Sequence, residues 1–121
     1  MNYSQETDGD LLILRLSGQL LGGTDADALR EMIRAAFDRG VRTVLLDMRG
    51  ITWVNSAGLG MLIASHLAAR QNGASLRFVN LSKRIASILT VTRLSTVFEI
   101  YPTEREARSM PTPSPSERPL S

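Results

Sequence analysis

The residues that could do chemistry in this sequence centre on Ser56, within the run Trp-Val-Asn-Ser-Ala-Gly-Leu-Gly at positions 53–60. Two glycines at the start of a predicted helix each cost about 1 kcal/mol relative to alanine, which suggests a close approach to the backbone there. We expect Ser56 to be the N-cap of this helix. Because a helix N-terminus favours negative charge, it would stabilise a phosphate on or beside Ser56. The competing interpretation is that Ser56 only caps the helix and that the glycines only permit tight packing.

The sequence lacks the residues that other kinds of catalysis need. A serine nucleophile requires a base within hydrogen-bond reach, but the single histidine, His66, lies ten positions after Ser56, a helical rise of about 15 Å. The sequence has no cysteine, which excludes thiol nucleophiles and Cys-ligated metals. We therefore predict no enzyme, no catalytic residue, no metal and no cofactor, and we place His66 at the surface or boundary of its helix.

A second glycine-containing loop, residues 21–24, precedes the first predicted helix. It lacks the Gly-Lys-Ser/Thr ending of a phosphate-binding loop, so it is a weak nucleotide signal. A flexible connection with Thr24 as N-cap is the simpler interpretation.

Short apolar runs alternate with helical patterns along the chain. The predicted strands are residues 11–16, 44–48, 75–79 and 97–101, and the predicted helices begin after Thr24, at Ala57, after Ser82 and at Thr103. Gly40 is the predicted end of the first helix. The predicted buried stripes are Leu29, Met32, Ile33, Ala36 and Phe37 in the first helix and Leu59, Leu62, Ile63 and Leu67 in the second. This alternation indicates an α/β fold, with a mixed β-sheet of about four or five strands and about four helices packed against it.

Composition predicts one domain followed by a tail. The chain has 121 residues, of which 43% are hydrophobic, enough for a single core. Residues 109–121 are rich in proline and serine, so we predict a domain over residues 1–108 and a disordered tail over residues 109–121. No apolar run approaches the roughly 18 residues of a membrane span, and the first residues lack a signal-peptide pattern. A cytoplasmic protein without membrane insertion is therefore expected.

Charge does not indicate a nucleic-acid partner. The net charge is only +2, and 13 of the 14 basic residues are arginines, whose high pKa moves the isoelectric point upward. The basic residues alternate with acidic ones and form no block with interleaved aromatic residues.

Residues 44–48 followed by 51–60 resemble the signature of STAS domains, the sulphate-transporter and anti-sigma-factor-antagonist family. The resemblance covers about residues 11–107 and includes the segments 17–20, 79–82 and 92–98. It implies a STAS-like fold and the role of a stand-alone bacterial anti-sigma factor antagonist. In that family an anti-sigma factor with serine-kinase activity phosphorylates a serine that matches Ser56. The unphosphorylated antagonist binds the anti-sigma factor and frees the sigma factor for transcription, whereas the phosphorylated form lets go.

The resemblance also implies a partner-binding surface around this serine. Its expected members are Gly22, Gly23, Thr24, Asn55, Ser56, Ala57, Gly58, Leu59 and Gly60. Asn55 stands where the family usually has aspartate, and Leu21 stands where a second acidic residue is common. The implied partners are an anti-sigma factor with serine-kinase activity and, as a second candidate, a phosphatase.

Two other functions stay open. The first is a constitutive scaffold or interaction subunit of a signalling or transport assembly, in which Ser56 is only a cap. Asn55 and Leu21 favour this function. The second is a nucleotide- or lipid-sensing STAS module, which only the glycines support.

Overall fold

One mixed β-sheet forms the centre of the structure, a computed structural model that describes residues 1–111. The strands are β1 (Asn2–Asp8), β2 (Leu11–Leu20), β3 (Thr43–Val54), β4 (Ser75–Val79) and β5 (Glu99–Tyr101). The helices are α1 (Gly23–Asp38), α2 (Ser56–Gln71), α3 (Lys83–Val91) and α4 (Glu104–Ser109), and a 3-10 helix (Leu94–Thr96) precedes β5. The strand order is β1-β2-β3-β4-β5, with β1 antiparallel to β2 and the other neighbours parallel.

The strand β1 was not predicted from the sequence, because the sequence-based prediction contains no element before residue 11. All seven residues of β1 are exposed, so the strand lacks the alternation of apolar and polar residues that marks a half-buried strand. It forms because it pairs with β2 along its whole length, from Asn2 opposite Ser17 to Asp8 opposite Leu11.

The larger core lies on the sheet face that α1, α2 and α3 cover. Alternate strand residues such as Leu12, Leu14, Val44 and Leu46 point into it. The predicted stripe of α1 is confirmed, since Leu29, Ile33, Ala36 and Phe37 are buried and Met32 is half-buried. The predicted stop is confirmed as well, because Gly40, with a φ of 93°, follows the C-cap residue Arg39 of α1.

The predicted stripe of α2 is confirmed except for Leu67. Leu62 is buried, Leu59 and Ile63 are half-buried and pack against the core, and Leu67 is 51% exposed. The helix also buries Gly58, Met61, Ser65, His66 and Ala69, which the stripe does not include. The buried side of α2 mixes small residues with polar ones such as Ser65 and His66, so apolar character alone does not mark it. His66 is also not at a surface: it is buried and meets Phe98 edge to face, with ring centroids 5.5 Å apart.

The opposite face of the sheet carries a smaller core covered by α4. Ile13, Leu45 and Val79 pack there with Ala107 of α4. The Arg77 guanidinium, fully buried in β4, donates to the Glu99 carboxylate and to the carbonyl oxygens of three residues that end the described chain. These are Ala107, Met110 and Pro111, at 2.7, 2.6 and 2.9 Å. Thr103 caps α4, which ends at Ser109, and residues 112–121 of the predicted tail lie outside the described residues.

Candidate functional site

The junction between β3 and α2 places Ser56 at the first position of a helix. β3 ends at Val54, and the Asn55 Oδ1 accepts a hydrogen bond from the Gly58 amide at 2.9 Å. Asn55 is therefore the N-cap, and the prediction that Ser56 caps α2 is wrong by one residue. Both residue types cap helices well, and Asn55 takes the position because its amide group has a second partner.

That second partner joins the junction to the loop between β2 and α1. The Asn55 Nδ2 donates to the Leu21 carbonyl at 2.9 Å, and the Asn55 backbone amide donates to the Leu20 carbonyl at 3.2 Å. Gly22, with a φ of 83°, lies so close to Ala57 that an added Cβ would be 2.6 Å from the Ala57 Cβ. The structure thus brings together the two segments that the sequence predicts as one surface.

Thr24 is not the N-cap of α1. The cap position is Gly22, which offers no side-chain oxygen, and Thr24 is the second residue of the helix and exposed. The first turn of α1 is instead engaged by the N-terminal ammonium of Met1, which contacts an Asp25 carboxylate oxygen at 2.9 Å.

The glycines of α2 differ in what they do. A Cβ at Gly58 would be 2.3 Å from the Leu20 carbonyl oxygen, so the backbone of α2 approaches β2 where only glycine fits. Gly60 has open space around its Cβ position and is exposed. The close approach expected from the sequence is therefore made at Gly58 by the chain's own β2 strand.

The Ser56 side chain is exposed on what we term the junction surface, formed by Leu21, Gly22, Trp53, Asn55 and Ser56. Among residues 1–111 the Ser56 hydroxyl makes no hydrogen bond, because Asn55 already caps the helix. The interpretation that Ser56 only caps α2 therefore does not hold. Of the other expected members, Gly23, Ala57 and Gly60 are exposed, Leu59 is half-buried and Gly58 is buried.

Two exposed apolar side chains of the junction surface are not predicted as site residues by the sequence. Leu21 is 46% exposed and Trp53 is 40% exposed. The Arg84 guanidinium carbon lies 6.0 Å from the centre of the Trp53 ring and so connects the start of α3 to this surface. The residue type itself is the signal for Trp53, because tryptophan is enriched among the residues that contribute most to protein–protein binding.

Neither a metal cluster nor a membrane span is found in the described part of the chain. Residues 1–111 contain no group of three or more histidine or acidic side chains placed to hold a metal ion. No helix in the same range has the length and apolar character needed to cross a bilayer.

Replacing Asn55 with alanine should lower the free energy of unfolding by about 2 kcal/mol, because the variant loses both the cap to Gly58 and the bond to Leu21. Urea denaturation followed by circular dichroism measures this change. Asn72→Ala is the control, since the exposed Asn72 side chain makes one bond, to Ala68, at the other end of α2. It should change stability by less than about 0.5 kcal/mol. Equal effects of the two substitutions would contradict the role given to Asn55.

The STAS domain profile matches residues 2–107 of this sequence. The chain belongs to the STAS domain family. Its five-stranded mixed sheet with four α-helices confirms the STAS-like α/β fold predicted from the sequence.

Among curated proteins this STAS chain is similar to an anti-sigma F factor antagonist of Paenibacillus polymyxa. The two are 25% identical over 107 residues, which cover 88% of this chain and 92% of the relative. Among solved structures it is similar to the anti-sigma factor antagonist SpoIIAA in its unphosphorylated form, with a TM-score of 0.71, 18% identity and coverage of 90% and 100% of the two chains. The phosphorylated form of SpoIIAA from Bacillus gives a TM-score of 0.69, 18% identity and coverage of 88% and 96%. At this identity the structures show the shared fold.

Proposed function

We propose that this STAS protein is an anti-sigma factor antagonist that binds an anti-sigma factor with serine-kinase activity through the junction surface. Phosphorylation of Ser56 ends the binding, and a phosphatase restores it, with all partners in the cytoplasm. The observation that carries the proposal is the exposed Ser56 hydroxyl, which makes no hydrogen bond within residues 1–111. It lies at a helix start that Asn55 fixes through its hydrogen bonds with Leu21 and Gly58. The name of the Paenibacillus polymyxa relative supports the partner class.

A phosphate on Ser56 is compatible with the fold. It would add about −1.5 to −2 charges at the N-terminus of α2, where the helix dipole favours negative charge. SpoIIAA supports the same conclusion, because its unphosphorylated and phosphorylated forms match this chain with nearly equal TM-scores of 0.71 and 0.69.

The same phosphate is incompatible with a docked partner. Leu21 and Trp53 are exposed apolar side chains on the junction surface, so a partner that covers them also removes water from Ser56. A doubly charged group inside that contact would lose its hydration, which costs several kcal/mol per ion. The modification therefore leaves the protein folded and removes its affinity, which is what a reversible switch requires.

The phosphoacceptor is tested by incubating the full chain with ATP and a purified serine-kinase anti-sigma factor from the same organism. Intact mass should increase by one phosphate, and Ser56→Ala should abolish the increase. Ser95→Ala is the matched control because Ser95 is also exposed but lies in the 3-10 helix, and this variant should still be phosphorylated. A phosphate that persists in Ser56→Ala would contradict the assignment.

Binding is tested with the same anti-sigma factor by titration calorimetry. Ser56→Asp should weaken binding at least about 30-fold, the usual effect of an unpaired charge buried in an interface, whereas Ser56→Ala should bind like the unmodified protein. The thermal midpoint of Ser56→Asp should stay unchanged, because aspartate is favoured in the first turn of a helix. If Ser56→Asp binds as tightly as the unmodified chain, the protein is a constitutive interaction module, which the neutral Asn55 beside Ser56 favours.

A further inference from the structure

A groove opens on the sheet face opposite to α1, α2 and α3, between β2 and β3 and the start of α4. Its volume is about 640 Å³, within the range of small-molecule sites. Eight polar or charged side chains line it, namely Arg15, Ser17, Asp47, Arg49, Asn80, Thr103, Glu104 and Arg105. It is separate from the junction surface, because none of the junction residues lines it.

Asp47 forms the floor of the groove and is already satisfied. It is only 7% exposed, its Oδ1 accepts from the Arg49 amide at 3.0 Å, and its Oδ2 accepts from the Asn80 side chain at 3.1 Å. Burial acts to raise the pKa of Asp47, but the pKa lies below its ordinary value because the Arg49 amide and Asn80 donate hydrogen bonds to the carboxylate and the Arg49 charge lies nearby. The carboxylate is therefore ionised at neutral pH and has its oxygens committed to the protein.

Glu104 is satisfied in the same way. Its two carboxylate oxygens accept from the Nε and Nη2 of Arg15 at 3.0 and 2.9 Å, and the Arg15 Nη1 donates to Glu6 at 3.0 Å. Hydrogen bonds from Arg15 to Glu104 and Glu6 raise the pKa of Arg15 above its ordinary value. These contacts engage both oxygens of Glu104 and three of the five N–H donors of Arg15.

Arg49 and Arg105 are the other two arginines that line the groove. Both are exposed, and within residues 1–111 neither guanidinium makes a hydrogen bond or an ion pair, although the Arg49 charge lies near enough to Asp47 to lower the pKa of that carboxyl. The unused capacity of the groove therefore consists of positively charged donors, so a matching ligand must supply negatively charged oxygens. The planar guanidinium fits the oxygens of a phosphate in a two-pronged contact.

We propose that this groove binds a phosphate-bearing ligand through Arg49 and Arg105. The Asp47–Asn80 pair and the Glu104–Arg15 pair fix the groove's shape, and the two carboxylates repel a phosphate, so that the ligand stays at the two arginines. Ligand binding at this site would be a regulatory signal that is independent of Ser56.

The test uses the full chain with two probes, sodium pyrophosphate and vesicles of phosphatidylglycerol in phosphatidylcholine, which distinguish a free phosphate from a lipid headgroup. Calorimetry should show saturable binding of one of them, and amide NMR signals of residues 49, 50 and 105 should shift. Arg49→Gln and Arg105→Gln should each weaken binding at least about tenfold, which is the effect of losing a charged hydrogen-bonding partner. Arg42→Gln is the matched control, since the exposed Arg42 precedes β3 at the other end of the sheet and does not line the groove.

Saturation by either probe with this pattern of variants supports the site and identifies the source of the phosphate. Absence of saturable binding to both probes overturns it, and so does an equal loss in Arg42→Gln, which would indicate only general charge attraction. Ser56→Asp should bind the probe like the unmodified chain. The experiment therefore distinguishes a failure of the proposed phosphate binding in the groove from a failure of the proposed phosphorylation switch.

Discussion

Gly58→Ala is expected to lower the free energy of unfolding by about 3 kcal/mol, at the upper end of the usual cost of overpacking. The added Cβ would be 2.3 Å from the Leu20 carbonyl oxygen and 3.1 Å from the Val54 side chain. Neither neighbour can move freely, because the Leu20 carbonyl also accepts from the Asn55 amide at 3.2 Å. Separation of α2 from β2 would break that bond and displace Ser56. Guanidinium denaturation measures the loss.

Gly60→Ala is the matched control on the same helix. Nothing lies within 4 Å of its Cβ position, so alanine adds only its higher helix propensity. The variant should gain about 0.8 kcal/mol. The two substitutions are chemically identical and two residues apart, and their effects should have opposite signs. If Gly58→Ala is also neutral or stabilising, the contact between α2 and β2 does not position the junction surface.

Arg77→Met is expected to cost about 3 kcal/mol, the lower end of the range found when one partner of a buried ion pair is removed, because Arg77 is buried but Glu99 is partly exposed. Methionine retains much of the apolar stem but leaves the Glu99 carboxylate and three carbonyl oxygens without their donor. The loss should concentrate in α4, so amide hydrogen exchange at Ala107 should accelerate more than exchange in α1. Thermal unfolding gives the overall change.

Arg34→Met provides the comparison for Arg77→Met. Arg34 also pairs with two acidic groups, Glu31 and Asp38, but all three side chains are exposed on α1. Its replacement should cost less than about 1 kcal/mol, as for other surface ion pairs. Comparable losses in the two variants would show that burial does not make the Arg77 contacts important.

Local patterns predict the elements whose residues are sorted by polarity. The stripe of α1 is correct because large apolar side chains face the core while Arg30 and Arg34 face water. In α2 the rule is less exact, because Leu67 is exposed whereas the polar residues Ser65 and His66 are buried. Periodicity alone cannot tell which of two largely apolar faces is buried. β1 cannot be predicted from side-chain patterns, because backbone pairing with β2, not side-chain burial, holds it in place.

The candidate site could be located from the sequence, but its contacts could not. Ser56 and the loop around Gly22 are identified from residue types, and the structure places them side by side. The assignment of the cap to Asn55 depends on its bond to Leu21, 34 residues earlier, which no local pattern reports. The anchoring role of Arg77 likewise depends on partners between 22 and 34 residues away.

Trp53 gives the junction surface an optical reporter of its own. It is the single tryptophan of the chain, 40% exposed and beneath the Arg84 guanidinium. A molecule seated over the ring would exclude water from the indole and move its emission toward shorter wavelengths. Association and release at this end of the sheet could thus be timed by stopped-flow fluorescence on the unlabelled chain.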